Sequence, residues 1–420
     1  MLQIPSGLQR VVFLLAPKRF LIVALDQYLL SLTSIATSFL SFNSLDEMNL
    51  ADFVIIWAGI WGLVAILSET LVNPLRVKSN AHLQKNPDHL PITEICSFLF
   101  HSGISLLMLG SIFFKFKVVS LVCLSLSLAL LYTCYTINRN VNIDKKSHTI
   151  NVRRSGSVLA MVIFPVGFYS HAYSLTLFVV LFIYSLSLIL VQLGNSRNIT
   201  TYLVGISHAL GILIQNLKFG VSTILRIFLF SISILYILRL IYPTEITIQY
   251  GLVMSLSNPG VILASLISQS EFKKLMESKD NEFQLLNFLQ YYKKVFYLSL
   301  IGCIITALLC VTLSAVSYQY NVNIEEMGFL RIVSFSFFTI LFIALSGLIS
   351  SLIQIYQLRD IQVLAVMFAG ALSMALLFVL PPLTAVFTPY IFYILAIAGL
   401  QSGKGFIGAK KNLRITKSEH

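Results

Sequence analysis

Few residues in this chain have side chains able to do chemistry, and they stand where chemistry is costly. Asp26 and Gln27 head a ladder of hydroxyls, Ser31, Thr33, Ser34, Thr37, Ser38 and Ser41, in a segment otherwise apolar enough to cross a bilayer. On a helical wheel these polar residues share one side, and the other side is mostly Leu, Ile, Ala and aromatic. A charge inside a span costs about 2.5–3.5 kcal/mol on insertion scales, so Asp26 must face protein or water rather than lipid. The chemistry this implies is a polar path: a carboxylate that can hold a proton or a sodium ion, and a row of hydrogen-bonding groups for a hydrophilic cargo. Small hydroxyl residues also pack helices together. The adjacent carboxylate and amide favour the cavity.

Arg226 is the complementary candidate. It lies about two turns inside its own span, on a face with Ser222 and Ser233, too deep for easy snorkelling. Its planar fork suits phosphate oxygens. A second use is an ion pair with Asp26 at matching depth, and the two uses are compatible if phosphate opens that pair. Arg239 and Arg331 stand near span ends, where they reach lipid headgroups or form a further phosphate station. Glu69, at the end of the second span, is a gate or an interfacial charge, with the interfacial role preferred; Asp26 and Glu69 are the candidates for cation coupling. His101 and His171 are isolated and are expected to be packed and hydrogen-bonded. Pro165 with Gly167, and Asn258-Pro259-Gly260, are expected to break their spans, as at many transport sites. There are no paired catalytic carboxylates, nucleophile with a base, glycine-rich phosphate loop or metal cluster, so no enzyme, cofactor or metal is expected.

The elements that position these residues follow from composition. With 57% hydrophobic and 11% charged residues over 420, the chain falls far below the roughly 25% charge of a soluble domain. It is an all-α polytopic membrane protein. Spans of about 20 apolar residues are expected at 20–42, 51–71, 94–114, 118–136, 157–173, 175–194, 219–241, 248–268, 295–316, 328–353, 361–380 and 384–400. Basic residues crowd one set of loops, including Lys78, Lys85, Lys145, Lys146, Arg153, Lys273, Lys293 and Lys410. By the positive-inside rule both termini are cytoplasmic, and the net charge of +12 reflects topology and anionic lipid rather than nucleic acid. An offset of about 200 residues aligns Asp26 with Arg226 and Ser31 with Ser231, as two parallel six-span lobes require. The expected organisation is an N-terminal lobe at 1–194, a linker with an interfacial helix at 195–218, and a C-terminal lobe at 219–420.

The first 80 residues also resemble a known family. Asp26-Gln27 followed by Ser31, Ser34 and Ser38, the Ala51-Asp52-Phe53 opening of the second span, and Glu69 with Asn73-Pro74 at its exit are similar to features of the polysaccharide exporters of the MOP superfamily. The turn before the second span departs from that pattern, reading Asn43-Ser44-Leu45-Asp46-Glu47. The resemblance implies about 12 helices in two six-helix lobes around a central cavity in the bacterial inner membrane. It also implies a flippase that carries an undecaprenyl-diphosphate-linked oligosaccharide to the periplasmic leaflet for O-antigen or exopolysaccharide synthesis. Its partners would be membrane lipids, H+ or Na+, and a polysaccharide polymerase. The competing classes are a multidrug-type exporter of the same fold and a polytopic polymerase or ligase. The deep Arg226 argues against cationic cargo, and the short outer loops argue against an enzyme.

Overall fold

The computed structural model describes residues 47–75, 91–140, 176–192, 202–270, 299–308, 329–355, 359–382 and 387–399, with a few single positions between them. Twelve helices carry the description: α1 (Glu47–Leu67), α2 (Ile92–Ile112), α3 (Lys117–Asn140), α4 (Leu177–Gln192), α5 (Tyr202–Gln215), α6 (Leu217–Ile227), α7 (Ser233–Ile241), α8 (Thr244–Ser270), α9 (Ser299–Leu308), α10 (Phe329–Ile355), α11 (Arg359–Leu376) and α12 (Thr388–Gly399). A π-helical turn, Ser68–Val72, extends α1, and another, Phe228–Ile232, joins α6 to α7. Among the described residues, four stretches are long and apolar enough to cross a membrane, Asn49–Leu75, Ile92–Ile112, Lys117–Asn138 and Gly220–Ile241. The expected fifth span, 157–173, lies outside the described residues, as do Pro165, Gly167 and His171. So does the expected first span, 20–42, apart from Thr37 and Ser41, which are buried, with Ser41 Oγ donating to the Thr37 carbonyl at 2.9 Å.

Backbone contacts divide the chain into two compact units, Met1–Leu45 with Leu75–His208, and Asp46–Pro74 with Ala209–His420. This differs from a division into sequence halves. The second span, from the N-terminal half, belongs with the C-terminal helices.

In the first unit α2 and α3 pack antiparallel through a repeated contact. Gly103 and Gly110 on α2 leave room for Leu131 and Leu124 on α3. At the same levels Ser127 Oγ donates to the Gly103 carbonyl and Ser120 Oγ to that of Gly110, each at 2.7 Å. Missing side chains let the backbones approach, and the hydroxyls then bond across the seam. Gln192 on α4 joins them, donating to the Leu131 carbonyl at 3.1 Å. The first turn of α5 packs on α2. Gly205 lies so close to the Glu94 carbonyl that a Cβ would stand 2.1 Å from the oxygen, and the Tyr202 and Ser102 hydroxyls are 3.2 Å apart. The described part of α5 runs 14 residues, about 21 Å of helix. His101 beside it donates from Nδ1 to the Ser97 carbonyl at 2.8 Å, the packed role expected of a lone span histidine.

In the second unit glycines again set the close approaches, at Gly251 against Val54 and Gly370 against Leu229. The helix α8 runs unbroken from Thr244 to Ser270 through Asn258, Pro259 and Gly260. The expected break at Pro259 is therefore not there. Gly260 is instead where α8 meets α9, since a Cβ on Gly302 would lie 2.7 Å from the Gly260 Cα. Thr306 Oγ1 donates to the Leu256 carbonyl at 3.2 Å and to its own helix at Gly302, which satisfies its hydroxyl without water.

Candidate functional site

Among the described residues of the second unit, two acid–base pairs join α1 to the α6–α7 stretch. Asp52 lies near the start of α1 and Glu69 in its π extension, while Arg226 lies in the last turn of α6 and Arg239 in the last turn of α7. The helices run antiparallel, so each acid meets a base. Arg226 Nη2 is 3.8 Å from Glu69 Oε1, and Arg239 Nη1 pairs with Asp52 Oδ1. The helices touch closely on both sides of the Glu69–Arg226 pair: a Cβ on Gly62 would lie 2.7 Å from Ile227, between the two pairs, and one on Gly220 2.7 Å from Thr70, beyond it.

The Glu69–Arg226 pair is the more enclosed, with side chains 15% and 17% exposed. Both residues belong to stretches apolar enough to cross a membrane, where an uncompensated charge is expensive. Asn73, one turn on from Glu69, donates from Nδ2 to Glu69 Oε2 at 3.0 Å. The 3.8 Å contact holds by charge and exceeds hydrogen-bond length. Each partner sits at a π turn: Glu69 within Ser68–Val72, and Arg226 two residues before Phe228–Ile232. Such insertions are rare and frequent at functional sites. Tyr390 on α12 lies within electrostatic range of Arg226, and Tyr250 on α8 within that of Tyr390. The Phe230 ring packs edge-on to Tyr390 and Tyr393, at centroid distances of 5.5 and 6.0 Å. Ser222 and Thr223 are buried one turn before Arg226.

Of the residues expected to form a site, the structure brings together Glu69 and Arg226. Asp26, Gln27 and Ser34 lie outside the described residues, and Arg331 is in the first turn of α10. Glu69, expected as an interfacial charge, is an enclosed partner of Arg226. Arg239, expected at headgroups, is paired with Asp52. The roles of Asp52, Asn73 and Tyr390 were missed. The sequence does carry a signal for the first two, because Asn73 follows Glu69 by one turn, and acids flank one span where bases flank another.

No protein-family model matches the sequence, and no curated protein matches it either. Solved structures do resemble it. An inward-facing multidrug resistance MATE family transporter of the MOP superfamily aligns over 91% of this chain and 96% of its own, with a TM-score of 0.53 at 12% identity. The lipid II flippase MurJ, in an inward closed conformation, aligns over 92% and 87%, with a TM-score of 0.54 at 10% identity. A MATE protein in a straight conformation aligns over 94% and 95%, at 0.52 and 13%. These likenesses define a class by fold: the chain has the all-helical, multi-pass membrane fold seen in these MATE and MurJ structures.

Proposed function

We propose that this protein is a flippase that carries an undecaprenyl-diphosphate-linked oligosaccharide from the cytoplasmic to the periplasmic leaflet of a bacterial inner membrane, supplying O-antigen or exopolysaccharide synthesis. The observation that carries the proposal is the enclosed Glu69–Arg226 pair at the two π turns. An enclosed guanidinium in a membrane-crossing stretch suits an anionic cargo better than a neutral or cationic one. A diphosphate offers several charged oxygens in the planar geometry that the fork matches. Arg226 binds the phosphoryl group, and Glu69 covers the guanidinium when cargo is absent. Asp26, Gln27 and Ser34 line the route of the sugars. Asp26 or Glu69 takes the coupling H+ or Na+. Moving an anion outward is also favoured by an interior-negative potential, by about 2.3 kcal/mol per charge per 100 mV. The product faces a polysaccharide polymerase in the periplasmic leaflet.

Cells carrying Arg226→Ala should lose surface polysaccharide while retaining the protein in the membrane, and Arg226→Lys should keep only part of the activity. Full export by the alanine variant at normal expression overturns the proposal. A second reading, export of cationic drugs, rests on the MATE fold. It predicts energy-dependent efflux of a lipophilic cation that Glu69→Gln abolishes and that Arg226→Ala leaves intact.

A further inference from the structure

The helix pair that holds Glu69 and Arg226 carries a second acid–base pair at its other end. Arg239 occupies the last turn of α7, about 19 Å along the helix from Arg226 at 1.5 Å per residue. Its partner Asp52 lies near the start of α1. The two pairs differ in accessibility. At the far end the side chains are 31% and 45% exposed, against 15% and 17% at the near end. A carboxylate that is half exposed within a membrane-crossing stretch must meet water, so this pair is reachable from an aqueous face. Arg239 also sits at a helix C-terminus, where backbone carbonyls hold a cation in place. A solvated carboxylate is a weak competitor for a guanidinium, whereas a phosphoryl group that bonds the fork twice is a strong one.

We infer that Asp52–Arg239 is a second binding station for a phosphate or diphosphate headgroup, farther along the helix pair from the enclosed Glu69–Arg226. This rests on the flippase reading of Arg226. In each station the arginine is the ligand and the acid is a displaceable cover. One helix pair thus offers the headgroup a site at each end of its path.

The sign of two substitutions tests this. If Asp52–Arg239 were only a clasp, removing either partner would act in the same direction. If Asp52 competes with an anion for Arg239, Asp52→Asn tightens binding and Arg239→Ala weakens it. The probe is farnesyl diphosphate, titrated into the full chain in detergent with farnesol as the uncharged control. Site number comes from equilibrium dialysis. The only tryptophans, Trp57 and Trp61, lie on α1 between the two pairs, with Phe53 stacked on Trp57 at 5.3 Å, so their emission follows this helix directly. Wild type should bind two molecules per chain and Arg239→Ala one. Affinity at the affected station should fall about tenfold or more, as the loss of a charge-assisted bond does. Arg239→Lys, which keeps the charge and loses the fork, should fall between. If Arg239→Ala does not accumulate, Arg239→Lys at wild-type affinity overturns the inference. Wild-type binding by Arg239→Ala, or changes of one sign in Asp52→Asn and Arg239→Ala, also overturns it. If Arg226→Ala loses a site and Arg239→Ala does not, the second station falls alone; if neither loses one, the flippase reading falls with it.

Discussion

Glu69 and Arg226 are a costly pair to place in an apolar stretch, and the cost makes their coupling measurable. Both side chains are enclosed, so deleting one takes an opposite charge away from the other, at up to about 3–5 kcal/mol. Replacing both with neutral residues removes that penalty. Arg226→Ala should therefore lower the unfolding midpoint in detergent more than Glu69→Gln combined with Arg226→Ala does. The departure from additivity should exceed about 1 kcal/mol, as for residues in direct contact. Simple additivity would mean that the two charges are independently solvated and that the 3.8 Å contact carries little energy. Asn73 adds a hydrogen bond to the same carboxylate, so Asn73→Ala should weaken the coupling without abolishing it.

The elements meet through missing side chains. Apolar side chains gain little by leaving lipid for one another, so packing geometry and interhelical hydrogen bonds decide which faces meet. Gly260 and Gly302 let α8 and α9 touch backbone to backbone, and no rotamer change can relieve an added methyl there. Gly302→Ala should lower stability by about 1–3 kcal/mol through overpacking. Gly59 is the control on α1: its Cβ would meet nothing within 4 Å. Gly59→Ala should be neutral or stabilising by up to about 1 kcal/mol, from helix propensity. Thermal unfolding of the two variants side by side checks both, and equal midpoints would refute the packing account. Helix positions were legible to within a few residues, as with 94–114 against Ile92–Ile112 and 219–241 against Leu217–Ile241. The π turns were not. A π turn inserts one residue without changing the run of apolar side chains, so hydropathy passes over it. Pro259 misled for the opposite reason, because a membrane helix can continue through proline when neighbours satisfy the freed carbonyl.

At the scale of the whole molecule the outstanding expectation is topological. Basic loops predict that reporter fusions at Lys85, Lys146, Asp280 and His420 all report cytoplasm. A periplasmic signal at His420 with a cytoplasmic one at Lys85 would require an odd number of crossings between them. Composition by itself determined that the chain lives in a membrane, because 11% charge cannot solvate 420 residues in water. The isolation of Arg226 in an apolar run by itself marked that residue. Only the tertiary structure set Glu69 beside it and grouped the second span with the C-terminal helices. Glu69 is distant from Arg226 in sequence, and nothing in the local pattern around either one specifies the other. Their meeting depends on the antiparallel course of α1 along α6–α7, on the room left by Gly62 and Gly220, and on the matching of two acids to two bases. These are long-range contacts, and they exist only once the helices have packed.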